Sequence, residues 1–170
     1  DMDIQNIYNS IAELSREIVR ECTARSVKIS TAESCTGGMI SGAVTSVSGS
    51  SAVIELGVCS YSNRIKHKIL HVPAEVLKRF TEYSVECAAE MAKGVMELSC
   101  ADYGVSTTGV AGPTGGSAEH PVGEVCIAVS GKNGCRSERF LFAQGSADRE
   151  LIRALAAEKA LSMLLCEIKK

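Results

Sequence analysis

The feature that most constrains the fold is a short turn of hydroxyl and glycine residues between a strand pattern and a helix pattern. Val27, Ile29 and Thr31 form the β-branched strand pattern, and the helical pattern begins at Met39. The residues just before Met39 are Ser34-Cys35-Thr36-Gly37-Gly38. A strand that enters a helix through such a turn leaves backbone N–H groups unpaired beside side-chain hydroxyls. The pattern predicts a turn that binds a phosphate, a carboxylate or a developing oxyanion.

Helical and strand patterns alternate through most of the chain. Apolar spacing predicts helices at about 3–25, 39–47, 63–70, 73–80, 84–96 and 148–168, and strands at about 27–32, 53–61, 103–110, 122–130 and 136–142. We expect Asn63 and Ser84 to cap the helices that begin near them. Such alternation is typical of an α/β sandwich with helices on both faces of the sheet. The last two strands form a hairpin that adds an antiparallel pairing, so we expect a mixed, mostly parallel sheet of about five strands.

Composition narrows the class of protein. The chain has 170 residues, a net charge of −2 and a pI near 6.0, which fits one domain over residues 1–170 with neither a nucleic-acid nor a membrane surface. Its eight cysteines contain no CxxC pair, so we expect reduced thiols in a cytoplasmic protein. The acidic start, Asp1-Met2-Asp3, lacks the basic flank of a signal peptide. Homo-oligomerisation stays open.

Both glycine-rich segments, 34–38 and 111–117, follow predicted strands. Ligands in α/β folds bind beyond the carboxyl ends of strands, so we expect the two segments to share one site. Neither a GxxxxGK[ST] nor a GxGxxG motif is present, which disfavours a P-loop or dinucleotide site. The alternatives are a helix cap with close packing for 34–38 and an ordinary surface loop for 111–117.

Candidate groups for nucleophilic chemistry follow in Gly49-Ser50-Ser51 and in Tyr61-Ser62-Asn63 with Lys66. A serine needs a base, and a lysine serves as one only when its pKa is lowered by burial or a nearby cation. Spacing alone favours a solvated Lys66, like Lys68. None of the three histidines pairs with an evident carboxylate, which disfavours a Ser-His-Asp triad.

Two further side chains have both a functional and an ordinary interpretation. Arg149 opens the last helix and is able to clamp a phosphate or carboxylate, or to form only a surface salt bridge. Cys35 lies near a predicted helix N-terminus, where a lowered pKa would favour a cysteine amidase. No histidine is evidently placed to help Cys35.

Taken together, these segments resemble the CinA C-terminal-domain family. The stretches that carry the resemblance run in order along the chain: Thr31–Gly38, Gly49–Ser51, Tyr61–Asn63 with Lys66, Gly109–Pro113 with Gly115–Gly116, and Pro121–Gly123. The resemblance implies a three-layer α/β/α sandwich with a mixed sheet. It also implies hydrolysis of the amide of nicotinamide mononucleotide in pyridine-nucleotide salvage, with no metal or cofactor.

Roles in the site follow from the resemblance. It implies that Ser51 is the nucleophile, that Lys66 is the general base and that Tyr61 shapes the base or the pocket. The residues it implies for the nucleotide are Ser34, Thr36, Gly37, Gly38, Asn63, Thr108, Gly109 and Arg149.

Two departures and one alternative accompany the resemblance. The family often has Gly-Asp-Arg before the last helix, whereas Ser146-Ala147 separates Gly145 from Asp148-Arg149 here, which weakens the placement of Arg149. His120 stands where the family often has lysine. The alternative function is a non-catalytic nucleotide-binding or interaction module linked to competence or DNA damage.

Overall fold

The computed structural model describes residues 3–170, with six α-helices and five β-strands in the predicted alternation. The helices are α1 (Ile4–Arg25), α2 (Met39–Thr45), α3 (Asn63–Leu70), α4 (Ala74–Phe80), α5 (Val85–Ser99) and α6 (Arg149–Ile168). The strands are β1 (Ile29–Glu33), β2 (Ile54–Cys59), β3 (Tyr103–Gly109), β4 (Glu124–Gly131) and β5 (Gly134–Leu141). A one-turn 3₁₀ helix, Ser50–Ala52, precedes β2. The predictions for Asp1 and Met2 lie outside the described residues.

The strands form one sheet in the order β2-β1-β3-β4-β5. β1 is parallel to both β2 and β3, whereas β4 is antiparallel to both β3 and β5. The mixed sheet is therefore confirmed, and four of its five strands point the same way. The hairpin alone predicted one antiparallel pairing, but β4 also pairs with β3 and makes a second.

Helices cover both faces of the sheet. Alternate residues of β1 point to opposite faces, so Ile29 packs in the cluster formed with α1, α2 and α6. Ala32 packs on the other face, against Leu70 of α3 and Met91 of α5. Partly buried residues of α4 join that second cluster. The predicted three-layer α/β/α sandwich is confirmed.

Polar caps fix where the helices begin. The Ser84 hydroxyl accepts a hydrogen bond from the Cys87 amide at 3.0 Å, which confirms the predicted cap of α5. α3 is capped by Ser62, whose hydroxyl accepts from the Ile65 amide at 3.3 Å. The cap predicted at Asn63 is therefore wrong by one residue. This shift makes Asn63 the first helical residue, at the edge of the site described below.

Two general findings bear on function. Among residues 3–170, no helix combines the length and the apolar character that crossing a membrane requires. Within the same residues, His, Cys, Asp and Glu side chains form no group of three or more that is suited to a metal ion.

Candidate active site

The carboxyl ends of β1, β2 and β3 meet at one edge of the sheet. Glu33 ends β1 and lies in register with Cys59 of β2 and Thr107 of β3. Beyond this edge is a cavity of about 320 Å³. It is lined by Ser34, Cys35, Tyr61, Ser62, Asn63, Lys66, Glu82, Tyr83, Thr108 and Gly109. The site thus lies at the strand ends that the sequence indicated.

A buried lysine contacts a serine hydroxyl at this cavity. Lys66 is 1% exposed, and its Nζ lies 3.1 Å from the Ser34 Oγ. Lys66 and Leu70 form the buried side of α3, which packs toward α5. The solvated Lys66 expected from spacing is therefore wrong, because this packing turns Lys66 inward while Lys68 stays exposed.

Two backbone carbonyls fix the position of the Lys66 nitrogen. Nζ donates to the carbonyl oxygens of Ser60 and Tyr61, both at 2.9 Å. A neutral amine has two N–H donors and one lone pair, so with both donors engaged the lone pair faces the Ser34 hydroxyl. In the ammonium form the third N–H donates to Ser34 instead. The same geometry therefore accommodates the lysine before and after it takes a proton.

Burial shifts the balance of Lys66 toward the neutral amine. Burial lowers the pKa of Lys66 from its ordinary value of 10.5 because the charged form loses its hydration. The negative charge of the nearby Glu82 carboxylate opposes this effect in part. A lysine with a lowered pKa is neutral in a larger fraction of molecules, as a general base must be.

A buried carboxylate holds the turn that carries Ser34. Glu33 is fully buried, and its carboxylate accepts hydrogen bonds from the amides of Ile40 and Ser41 at the start of α2, at 2.9 and 3.0 Å. The Thr36 hydroxyl also donates to Glu33, at 2.7 Å. Because the Thr36 proton is used there, Thr107 is the donor in its 2.7 Å contact with Thr36. The network ties the turn to β1, β3 and α2.

Arg153 of α6 orients the peptide groups of the same turn. Its guanidinium donates to the carbonyl oxygens of Cys35 and Thr36, each at 3.0 Å. In a planar trans peptide the carbonyl and the following N–H point in opposite directions. The Thr36 N–H therefore points away from Arg153, while the Gly37 N–H donates to the Ser34 carbonyl at 3.0 Å.

Arg149 and Tyr61 lie together at the rim of the cavity. One Arg149 nitrogen donates to the Gly112 carbonyl at 2.6 Å and another to the Tyr61 hydroxyl at 3.1 Å. Tyr61 is 63% exposed although it lines the cavity. The Arg149 side chain is thus positioned beside the cavity despite the two-residue insertion before α6, and its guanidinium bridges the 111–117 loop and Tyr61.

The other residues predicted to bind the nucleotide divide into two groups. Asn63, Thr108 and Gly109 line the cavity, and the Thr108 hydroxyl donates to the Glu82 carbonyl at 2.7 Å. Gly37 and Gly38 have positive φ values of 59° and 99° and lie in the turn behind the lining residues, as does the buried Thr36. The 111–117 loop reaches the site through its contact with Arg149 and not as a cavity wall.

The predicted pairing of Ser51 with Lys66 is wrong. Ser51 is exposed in the 3₁₀ helix before β2, whereas Lys66 follows the same strand. β2 has six residues, so about 17 Å of strand lies between the two ends. The serine in contact with Lys66 is Ser34, which the resemblance had implied only for ligand binding.

Two further expectations about reactive groups also fail. Burial raises the pKa of the Cys35 thiol to about 12, the opposite of the lowering expected near a helix N-terminus. His120 does pair with a carboxylate, since its Nδ1 lies 2.8 Å from Glu124. The His120 ring packs against Tyr83, with centroids 5.3 Å apart, behind the residues that line the cavity.

Four residues that shape the site had no role predicted from the sequence: Glu33, Glu82, Tyr83 and Arg153. Arg153 had a usable signal, because it lies four residues after Arg149 and so on the same side of the helix. Glu33 lies within the stretch Thr31–Gly38, but it continues the strand pattern before the turn and so had no separate functional signal. Nothing in the local sequence distinguishes Glu82 and Tyr83 from a surface turn before α5.

The chain is similar to known proteins over most of its length. A family model described as the CinA C-terminal domain matches residues 11–168. A protein of Enterobacter agglomerans named nicotinamide-nucleotide amidohydrolase PncC is 44% identical over 160 residues, which are 93% of this chain and 95% of that protein. A CinA-like protein of Anaeromyxobacter sp. (strain Fw109-5) is 42% identical over 152 residues. That match covers 89% of this chain but only 36% of the relative's length.

Solved structures agree with the fold. The crystal structure of the competence/damage inducible protein CihA from Agrobacterium tumefaciens has a TM-score of 0.90 and 41% identity, covering 95% of this chain and 96% of that one. A CinA superfamily protein from Klebsiella pneumoniae has a TM-score of 0.87 and 31% identity, covering 94% and 98% of the two chains. From the model match, the identities and the shared architecture, the chain belongs to the CinA C-terminal domain family.

Proposed function

We propose that this protein is an amidohydrolase that converts nicotinamide mononucleotide to nicotinic acid mononucleotide and ammonia. The observation that carries the proposal is the 3.1 Å contact between the buried Lys66 amine and the Ser34 hydroxyl. The relative from Enterobacter agglomerans, which is similar over nearly its whole length, carries the name of this activity. We assign the reaction to a single domain, residues 1–170.

The same proposal includes a metabolic role and a cellular compartment. We place the reaction in the salvage of pyridine nucleotides, in which an amidated nucleotide is recycled. We place the protein in the cytoplasm, where its eight free cysteines would stay reduced.

The first chemical step is attack by Ser34 on the amide carbon. Neutral Lys66 takes the hydroxyl proton while the Ser34 oxygen forms a bond to that carbon. The amide oxygen becomes an oxyanion, and we assign the Thr36 N–H, which Arg153 turns away from itself, as its donor. One such donor typically contributes about 3 kcal/mol to a transition state. The Lys66 ammonium then gives its proton to the departing nitrogen, and ammonia leaves.

The second step restores the serine. Lys66, neutral again, takes a proton from a water molecule that attacks the ester formed with Ser34. Nicotinic acid mononucleotide leaves when the Ser34–carbon bond breaks, and the proton returns from Lys66 to the Ser34 oxygen. Atoms and protons balance over the two steps, and the carbonyls of Ser60 and Tyr61 hold the amine in place throughout.

Binding of the nucleotide uses the rim of the cavity. The carboxamide must reach Ser34, so the phosphate lies toward the opening, where the Arg149 guanidinium is exposed. A guanidinium binds phosphate with two parallel hydrogen bonds. The walls beside the ring and ribose are formed by Tyr61, Asn63 and Tyr83.

The test is ammonia release from nicotinamide mononucleotide by the purified protein, with nicotinic acid mononucleotide measured in the same samples. We expect the two products in equal amounts, no loss of activity in EDTA, and a lower kcat/KM for the riboside that lacks the phosphate. No ammonia from well-folded protein would contradict the proposal. Nucleotide binding without turnover would instead support the non-catalytic module.

A further inference from the structure

One acidic residue, Glu82, lines the same cavity as the candidate base Lys66. Among the described residues that line it, Glu82 supplies the only carboxylate and Lys66 the only amine. Glu82 belongs to the short segment 81–84 ahead of α5. The Glu82 carbonyl accepts from the Thr108 hydroxyl at 2.7 Å, which ties the segment to β3. Within the segment, the Ser84 hydroxyl donates to the Thr81 carbonyl at 2.7 Å.

The charge of the cavity depends on the state of Lys66. With Lys66 neutral, as its role as a base requires, the Glu82 carboxylate is the one charge among the described residues that line the cavity, while the Arg149 guanidinium lies at its rim. Two tyrosines complete this wall, and burial together with the Glu82 carboxylate raises the pKa of Tyr83, so its ring stays un-ionised. A carboxylate and aromatic rings side by side are suited to bind an organic cation, because the carboxylate attracts its charge and the ring faces add a cation–π attraction.

We infer that Glu82, with the rings of Tyr61 and Tyr83 beside it, selects substrates whose pyridine ring carries a permanent positive charge. This inference rests on the proposed amidase function and names the property of the substrate that the site recognises. The ring of nicotinamide mononucleotide is a cation because its nitrogen bears the ribose. Reduction of the ring to the dihydro form keeps the carboxamide, ribose and phosphate but removes that charge.

The same charge acts on the base. The titratable groups whose charge would act on Lys66 are the carboxylate of Glu82 and the thiols of Cys35 and Cys87. The pKa of each thiol is raised to about 12, so the thiols remain neutral near pH 7. Glu82 is then the charged neighbour that favours the Lys66 ammonium. A cationic ring neutralises Glu82 and repels the ammonium, so its binding lowers the pKa of Lys66. The substrate thus helps to deprotonate its own general base.

The experiment compares Glu82→Gln with wild type on nicotinamide mononucleotide and on its dihydro form. We expect Glu82→Gln to lower kcat/KM about 10- to 100-fold for the cationic nucleotide and less than about threefold for the neutral one. Glu82→Asp, which keeps the charge, should retain part of the preference. The matched control is Glu86→Gln, which removes the same charge from an exposed position on α5 and should leave both values unchanged.

A second measurement needs no turnover. In the Ser34→Ala background, Glu82→Gln should weaken binding of the cationic nucleotide at least tenfold more than binding of the dihydro form. An equal effect of Glu82→Gln on both ligands would overturn the inference. Failure of the proposed function has a different signature, because wild type would then release no ammonia from either nucleotide.

The pH profile gives an independent check. The acidic limb of kcat/KM reports the free enzyme and that of kcat reports the complex. In wild type, we expect the acidic limb of kcat to lie about one pH unit below the acidic limb of kcat/KM. In Glu82→Gln, we expect a smaller separation between the two limbs. Coincident limbs in wild type would contradict the coupling between the ring and Lys66.

Discussion

Ser34 and Ser51 lie in similar local sequences but at opposite ends of the same sheet. Ser34 follows the carboxyl end of β1, is 7% exposed and contacts a buried amine. Ser51 precedes the amino end of β2 and is exposed. Both belong to a turn that combines serine with glycine. The difference shows that the end of the strand on which a hydroxyl falls, and not its neighbours in sequence, decides whether it contacts the buried amine of Lys66.

The turn at Ser51 has a structural task. Gly49 has a φ of 90°, a value that side chains disfavour, and it leads into the 3₁₀ helix. The Val53 carbonyl then accepts from the Ile29 amide at 2.9 Å, and Val53 itself is fully buried. The 49–53 segment therefore sets the register in which β2 joins β1, while the 34–38 turn holds polar groups beside a cavity.

The largest effect is expected from substitution of Lys66, the candidate base that contacts Ser34 and not Ser51. Lys66→Met should lower kcat by about 10³-fold or more, because general-base catalysis is lost. It should not lower the thermal midpoint, since a methionine of similar length removes a buried amine. Lys68→Met, on the exposed side of the same helix, is the matched control and should keep full activity in the ammonia assay. Residual activity above a tenth of wild type would contradict the role of Lys66.

The next effect concerns substrate binding at the cavity rim. Arg149→Ala should raise KM for nicotinamide mononucleotide about 10- to 100-fold and change kcat less than threefold, because a phosphate contact acts mainly on binding. For the riboside, which has no phosphate, the change in kcat/KM should be small. Arg20→Ala on α1 serves as the control. An equal loss on both substrates would place Arg149 in a different role.

A smaller effect is expected from the residue that orients the turn. Arg153→Gln removes the paired donors to the Cys35 and Thr36 carbonyls, so the Thr36 N–H loses its fixed direction. We expect kcat to fall about tenfold with little change in KM, because the loss falls on the transition state. Steady-state kinetics on nicotinamide mononucleotide separate the two constants. A rise in KM at constant kcat would assign Arg153 to binding instead.

The smallest effect is on stability. The pKa of Lys66 is lowered in the folded protein, so between that lowered value and 10.5 the unfolded chain binds more protons. The free energy of unfolding should therefore rise with pH across this range, and Lys66→Met should remove that contribution. Urea unfolding at several pH values measures the slope in both proteins. Identical slopes would show that folding does not lower the pKa of Lys66.

Much of the fold could be predicted from the sequence, since apolar spacing located the six α-helices and five β-strands of the described residues, although not the 3₁₀ helix Ser50–Ala52. Ser84 as a cap is a local property and was predicted correctly. The burial of Lys66 is not local, because it depends on how α3 packs toward Met91 of α5. The pairing of His120 with Glu124 is likewise set by a loop conformation.

The site itself was predicted in part. The strand-end rule indicated the correct edge of the sheet for the 34–38 turn. The resemblance implied Ser51 as the nucleophile, whereas the serine in contact with Lys66 is Ser34, because family resemblance supplies an order of motifs along the chain but no distances between them. Glu82 had no signal at all, since a carboxylate in a turn is ordinarily solvated.

The most direct test compares ammonia release by Ser34→Ala and Ser51→Ala under one set of conditions. The account predicts that Ser34→Ala loses at least about 10³-fold in kcat, while Ser51→Ala stays within twofold of wild type. Both substitutions remove one hydroxyl, so circular dichroism should show equal folding. Full activity in Ser34→Ala, or its loss in Ser51→Ala alone, would contradict the assignment of Ser34 as the nucleophile.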